Sequence, residues 1–134
     1  MKTVTVLAAK RLGITCCEGD QSLQQVAQRL AEEDVSSLVV VDEAGYLAGI
    51  ITRTDIVRAA LAHPDAWRQQ RCRQWMTAQV VTVAPDMVLE DVARLLQRNS
   101  IHRVVVVQAE GERLRPIAVV SDSDIVYHLA RRSL

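Results

Sequence analysis

Residues 49–57 read GIITRTDIV, and residues 118–126 read AVVSDSDIV. Both run through a small residue, two β-branched aliphatics, a hydroxyl, a variable position and a second hydroxyl, and close on Asp-Ile-Val. The variable position holds Arg53 in one copy and Asp122 in the other. A nine-residue phrase written twice in a chain of 134 residues points to a duplicated unit.

The duplication extends upstream of the phrase. SLQQVAQRLAEEDVSSLVVVD (22–42) aligns without gaps on VLEDVARLLQRNSIHRVVVVQ (88–108). Leu23, Val26, Ala27 and Leu30 fall at helical spacing, and Leu89, Val92, Ala93 and Leu96 repeat the stripe, so each window predicts an amphipathic helix. Asp20 or Ser22 suits the cap of the first helix and Asp86 that of the second. The apolar blocks SLVVV (37–41) and RVVVV (103–107) predict strands covered on both faces. A Gly-containing turn follows each block, then a second strand (47–51 or 116–120) and a second helix from about 54 and 123. GITC (13–16) and VVTV (80–83) predict short edge strands.

Each half therefore reads β-α-β-β-α, an α+β fold of two repeats packed sheet to sheet. A single unit of this size buries too little surface to be comfortable alone. The expected division is repeat 1 over 1–62, an Arg-rich helical linker with two tryptophans that caps the core over 63–75, and repeat 2 over 76–134.

Composition narrows the function classes. The chain is 49 % hydrophobic and 24 % charged with zero net charge, a globular balance that disfavours nucleic acid as principal partner. No apolar run approaches the roughly 20 residues of a membrane helix, and the N-terminus lacks a signal peptide's apolar region, so a cytoplasmic location is expected. Cys16, Cys17 and Cys72 give neither a disulfide framework nor a zinc spacing. No spacing joins them to His63, His102 or His128 as nucleophile and base, and the three histidines form no metal cluster. The expectation is a protein without catalytic or metal-ligating residues.

Chemically, the phrase offers hydroxyls, a carboxylate and backbone amides at a helix start, which suit a ligand carrying both hydroxyls and phosphate. An aspartate there can accept two hydrogen bonds from a vicinal diol such as ribose. The same T-x-x-D and S-x-x-D patterns are capping boxes, which stabilise a helix start with no ligand present. SIHRVVVV (100–107) adds His102 and Arg103, cations that fit a phosphate, where the first half has Ser36 and Ser37.

Together these features resemble the tandem cystathionine-β-synthase-type (CBS) domain pair, or Bateman module, over 12–62 and 76–131. GIITRTD matches the family's G-h-h-[ST]-x-x-D signature, AVVSDSD matches it with Ala118 for glycine, WMT (75–77) echoes a Met-Thr lead-in, and IHRVVVV looks like the His-Arg strand of nucleotide-binding members. The resemblance implies pseudo-twofold packing with two clefts between repeats, each taking its aspartate from one repeat and its base-binding wall from the other. One cleft would use Ile50, Thr52, Thr54 and Asp55 with Thr82, Val83, Ile101, His102 and Arg103. Asp55 would hold ribose, the apolar residues would sandwich adenine, and His102 and Arg103 would face phosphate. The weaker cleft would use Val119, Ser121, Ser123 and Asp124 with Thr15, Cys16, Val35 and Ser36, and would be empty, weak, or suited to adenosine or S-adenosylmethionine. CCEGD (16–20) counts one residue more than VAPD (83–86), an insertion on that cleft's wall.

The resemblance further implies a stand-alone sensor binding AMP first, then ADP or ATP, with Mg²⁺ able to accompany ATP. It would signal to a separate effector protein. It also implies a homodimer through the second-helix faces, with Ile56, Val57, Ala60, Leu61, Ile125, Val126 and Leu129 as the apolar surface. The alternatives are a binder of another adenosyl ligand such as NAD, or a ligand-free interaction module whose aspartates only cap.

Overall fold

The structure, a computed structural model, describes residues 4–9 and 14–131. In chain order the elements are α1 (Val6–Ala9), β1 (Cys16–Glu18), α2 (Leu23–Glu32), β2 (Ser37–Val41), β3 (Leu47–Thr52), α3 (Arg53–Ala62), α4 (Cys72–Trp75), β4 (Thr82–Val83), α5 (Leu89–Asn99), β5 (Arg103–Glu110), β6 (Arg113–Ser121) and α6 (Asp122–Arg131). They form two compact units. The first is Thr15–Val80; the second runs from Val81 and includes the N-terminal segment that carries α1.

Each unit holds one three-stranded sheet, ordered β1-β2-β3 in the first and β4-β5-β6 in the second. The central valine strand pairs in parallel with the short edge strand and antiparallel with the strand that follows it. Val39 and Val40 are fully buried, as are Val104, Val105 and Val106, so both faces of each central strand are covered. The α+β reading and the β-α-β-β-α order hold in both halves. The strand expected over 13–16 begins instead at Cys16; Gly13 lies outside the described residues.

Register corrects the sequence alignment at the edge strand. Cys16 pairs with Val39 as Thr82 pairs with Val105, so Thr82 matches Cys16 rather than Thr15, at an offset of 66 residues (105 − 39). The same offset carries Cys17 onto Val83 and Asp20 onto Asp86. The insertion inferred in CCEGD is therefore absent.

The helices form because their apolar stripes have somewhere to go. Leu23, Val26 and Leu30 are buried with Leu38, Val40, Ile51 and Ala59; Leu89, Val92 and Leu96 are buried with Val104, Val106, Val120 and Ile125. Ser22 caps α2 in a full capping box with Gln25. α5 starts after Val88 without a side-chain cap, so Asp86 does not fill that role; Glu90 and Asp91 in its first turn oppose the helix dipole instead. Both helices hand over to the central strand through a left-handed residue, Asp34 (φ 49°) or Ser100 (φ 52°).

The segment before each repeat is exchanged. Leu23 N donates to Gln70 O at 2.8 Å and Cys72 N to Gln21 O at 2.9 Å, building the stretch before the second repeat into the first unit. Leu89 N donates to Val4 O at 2.7 Å and Val6 N to Met87 O at 2.7 Å, the same pattern in the second unit. In the stretch read as a linker, Trp67 and Trp75 lie against the first core, and Cys72 is inside it. Further on, Thr77 pairs with Ile50 through two backbone hydrogen bonds of 2.9 Å.

That pairing explains the glycine of GIITRTDIV. A Cβ on Gly49 would sit 2.7 Å from Thr77 O and 2.8 Å from Met76 Sδ. The groups that approach the β3 strand so closely here are the chain's own backbone at Thr77 and the Met76 side chain. Gly49→Ala is expected to lower stability by about 1–3 kcal/mol, because backbone on one side and a packed thioether on the other must both shift. Urea unfolding of the variant beside wild type checks it, and an unchanged midpoint contradicts it.

Candidate functional site

The first unit presents the turn from β3 into α3. Thr52 caps the helix: its hydroxyl accepts from Asp55 N at 3.4 Å, while Asp55 Oδ2 accepts from Thr52 N at 2.8 Å and from the Thr52 hydroxyl at 3.1 Å. The other carboxylate oxygen accepts from Arg58 Nη1 at 3.1 Å, and Arg58 also lies over the Trp75 ring, 5.6 Å from its centroid. Asp55 is 5 % exposed, a buried anion satisfied by helix amide, hydroxyl and guanidinium together. Sequence reading passed over Arg58, although its place one turn after Asp55 was the available signal.

The second unit repeats the turn from β6 into α6. Asp124, 7 % exposed, accepts at Oδ2 from Ser121 N at 2.8 Å and from the Ser121 hydroxyl at 3.2 Å. In both units the aspartate of the phrase is therefore a capping residue, as the capping-box alternative required. Two amides read as available to a ligand are also taken: Arg53 N donates to Ser36 O at 3.1 Å and Asp122 N to His102 O at 3.0 Å.

Those bonds tie the second helix of each repeat to the loop before its central strand, and side chains reinforce the tie with opposite polarity. Arg53 Nη2 is 3.0 Å from Asp34 Oδ1 in the first unit; His102 Nδ1 is 3.0 Å from Asp122 Oδ2 in the second. Both pairs are largely exposed and worth little in stability. A groove of about 500 Å³ opens beside the second pair, lined by Leu96, Ser100, Ile101, His102, Asp122 and Val126 among others. Among the described residues Arg103 has no ion-pair partner.

Each predicted cleft draws on both units, so the structure describes it as two halves. The first unit brings together Ile50, Thr52, Thr54 and Asp55 from one prediction with Thr15, Cys16, Val35 and Ser36 from the other. The second brings together Thr82, Val83, Ile101, His102 and Arg103 with Val119, Ser121, Ser123 and Asp124. Cys16, Val39 and Ile50 share one cross-strand row, and Thr82, Val105 and Val119 share another. Thr54 and Ser123 are exposed at their helix starts. Val83 differs from expectation: it is 3 % exposed within the helix-side core, on the row of Val106 and Ala118, and offers no surface to a base.

Of the titratable groups, the cysteines are perturbed. Burial pushes the Cys16 thiol up, and a hydrogen bond with the Cys72 sulfur pulls Cys17 down while pushing Cys72 up. The described residues hold no group of three or more His, Cys, Asp or Glu placed to bind a metal. No helix among them is long and apolar enough to cross a membrane.

Comparison with known proteins places this geometry. The chain is 35 % identical over 107 residues to inosine-5′-monophosphate dehydrogenase of Mycobacterium leprae, covering 79 % of this chain and 19 % of that enzyme. It is 38 % identical over 52 residues to 5′-AMP-activated protein kinase subunit gamma-3 of Homo sapiens, covering 39 % of this chain and 11 % of the subunit. The curated relatives compared differ widely in length, the chain spanning between 10 % and 80 % of them. A crystal structure of a CBS domain pair in complex with 5′-methylthioadenosine and S-adenosyl-L-methionine superposes with a TM-score of 0.84 at 26 % identity, over 97 % of this chain and 98 % of that one. The family model of the CBS domain matches residues 10–62 and 72–131. With two matched repeats, two sheets of one topology and the shared phrase at each second helix, the chain belongs to the CBS domain family as a tandem pair.

Proposed function

We propose that this chain is a regulatory module that binds an adenine nucleotide, AMP first and ADP or ATP after it, and passes its bound state to an effector protein. The observation that carries the reading is the repeated buried aspartate beside an exposed hydroxyl at a helix start, Thr54–Asp55 and Ser123–Asp124. A carboxylate held rigid by its own cap meets a ribose diol without having to be ordered on binding. The solved pair that holds two adenosyl compounds supports the ligand class. The name of the AMP-activated kinase subunit supports AMP among nucleotides.

In this reading Asp55 and Thr54 hold ribose, Ile50 and Ile101 flank adenine, and Thr82, His102 and Arg103 lie toward the phosphate. Arg103 is the stronger phosphate candidate, because Asp122 places an anion beside His102. Mg²⁺ would accompany ATP through its phosphates. The site containing Asp124, Ser121, Ser123 and Val119 with Thr15, Cys16, Val35 and Ser36 lacks a His-Arg pair and fits adenosine or S-adenosylmethionine better.

Calorimetric titration with AMP is expected to give saturable binding that Asp55→Ala weakens at least tenfold, a loss of about 1.4 kcal/mol. Loss of the cap lowers stability by about 1 kcal/mol as well, so the titration is run where the variant is folded. Equal isotherms, or none for either protein, refute the nucleotide reading and leave the aspartates as caps.

Arg58 sharpens the test. A carboxylate has about four lone-pair sites, and three are occupied in Asp55 by Thr52 N, the Thr52 hydroxyl and Arg58. A diol must displace the guanidinium to make two bonds. Arg58→Ala is therefore expected to tighten AMP binding severalfold, and weaker binding would assign Arg58 to holding the ligand instead.

We also propose that two copies associate through the second helices. Val57 (57 % exposed) and Leu61 (77 %) on α3 and Val126 (62 %) and Leu129 (50 %) on α6 are apolar and open to solvent. Ile56 packs against the first core and Ile125 is buried in the second, so those two contribute less than the sequence suggested. Leu61→Glu is expected to shift a dimer toward monomer in sedimentation; an unaltered mass for the variant removes the α3 face from the interface.

A further inference from the structure

In the first unit the sulfurs of Cys17 and Cys72 lie 3.8 Å apart, with the residues 3 % and 0 % exposed. The backbone holds them there. Cys72 N donates to Gln21 O and Arg73 N to Gly19 O, each at 2.9 Å, while Cys17, on the edge strand β1, is held by pairing with Val40 of β2.

The second unit shows what packing alone requires at these two places. Val83 pairs with Val106 as Cys17 pairs with Val40, and Val6 N bonds Met87 O as Cys72 N bonds Gln21 O. Val6 and Val83 are both buried in the second core. The same fold position is thus filled by two valines in one repeat and two thiols in the other. Sulfur is not needed for volume, and its chemistry is what distinguishes the first unit.

We propose that Cys17 and Cys72 are a modification site: a dithiol that closes to a disulfide when a peroxide reaches it, and that a thiol reductant reopens. The sulfurs must approach to roughly 2.05 Å, a displacement within reach of side-chain rotation and small backbone adjustment. Cys17 is the attacking group. The two sulfurs share a hydrogen bond in which either can be the donor; with the Cys72 S–H donating, that bond and the positive charge of Arg29 favour the Cys17 thiolate against burial. Cys72 is the resolving group, its proton held by the same hydrogen bond and by burial.

The Cys17 thiolate attacks one peroxide oxygen and the O–O bond breaks. This leaves Cys17 sulfenic acid and hydroxide, which takes up the thiol proton as the first water. The Cys72 sulfur then attacks the Cys17 sulfur. The S–O bond breaks, and the Cys72 proton leaves with that hydroxide as the second water. Two electrons pass from the sulfurs to peroxide. The bridge links positions 55 residues apart and fastens the α4 segment to β1.

The test treats the full chain with hydrogen peroxide and follows thiol titration, non-reducing peptide mapping and melting temperature. Wild type is expected to lose two of its three thiols, to yield a peptide joining Cys17 to Cys72, and to melt about 5 °C or more higher, all reversed by reductant. Cys16→Ser should lose both of its remaining thiols to the same Cys17–Cys72 bridge, with the same rise in melting temperature. Cys17→Val and Cys72→Val copy the second repeat and should fold, but show neither the bridge nor the rise. A bridge through Cys16, sulfinic acid on Cys17 with Cys72 still reduced, or thiols that react only after unfolding would each overturn the proposal.

Discussion

A strand buried on both faces is tolerable only where every backbone group along both edges has a partner. β2 and β5 meet that requirement in the same way, with a parallel neighbour on one side and an antiparallel one on the other. Much of the architecture follows. A parallel neighbour cannot be reached by a tight turn, so α2 and α5 make the crossover. An antiparallel neighbour can, so a hairpin suffices, closed in the first unit by Asp42, whose side chain accepts from Ala44 N and Tyr46 N. The last helix of each repeat then begins directly where the third strand ends, and this junction carries the repeated phrase.

At that junction structure and proposed chemistry use the same atoms. A buried carboxylate is costly unless it is hydrogen-bonded, and the helix start supplies donors to Asp55 and Asp124. The cap makes the aspartates tolerable inside the fold. It also keeps them in one orientation, the condition a ligand-binding carboxylate needs. Capping and binding are therefore not exclusive readings of one motif: a ribose would take what acceptor capacity the cap leaves, and in the first unit Arg58 stands in competition for it.

The stripes Leu23-Val26-Leu30 and Leu89-Val92-Leu96 and the valine blocks carried the elements, because their periods are local and their burial is one-sided or complete. What local pattern could not carry was pairing. The extra residue counted in CCEGD came from setting Cys16 against Val83, whereas the ladder matches Cys16 to Thr82. Gly49 is a place of close approach, and the approaching atoms, Thr77 O and Met76 Sδ, come from a stretch that sequence order assigns to the next repeat. The exchange of lead-in segments is likewise long-range. Only afterwards does the chain show that residues 4–6 and 70–72 stand at the common offset.

The difference between the repeats now has a firmer physical basis than the presence of a His-Arg pair. Both repeats tie the start of the second helix to the loop before the central strand, through Arg53 with Asp34 in one and Asp122 with His102 in the other. The tie persists while its polarity reverses. His102 is thereby accounted for in part by the fold itself, as the partner of Asp122, and its weight as a phosphate ligand falls. Arg103 is not accounted for in this way: it begins β5 opposite Ser121, half-buried, without an ion-pair partner among the described residues. A guanidinium that folding does not occupy is available to bind an anion in two places at once. On that argument the inequality of the two proposed sites rests on Arg103 set against Ser37, its counterpart in the first repeat.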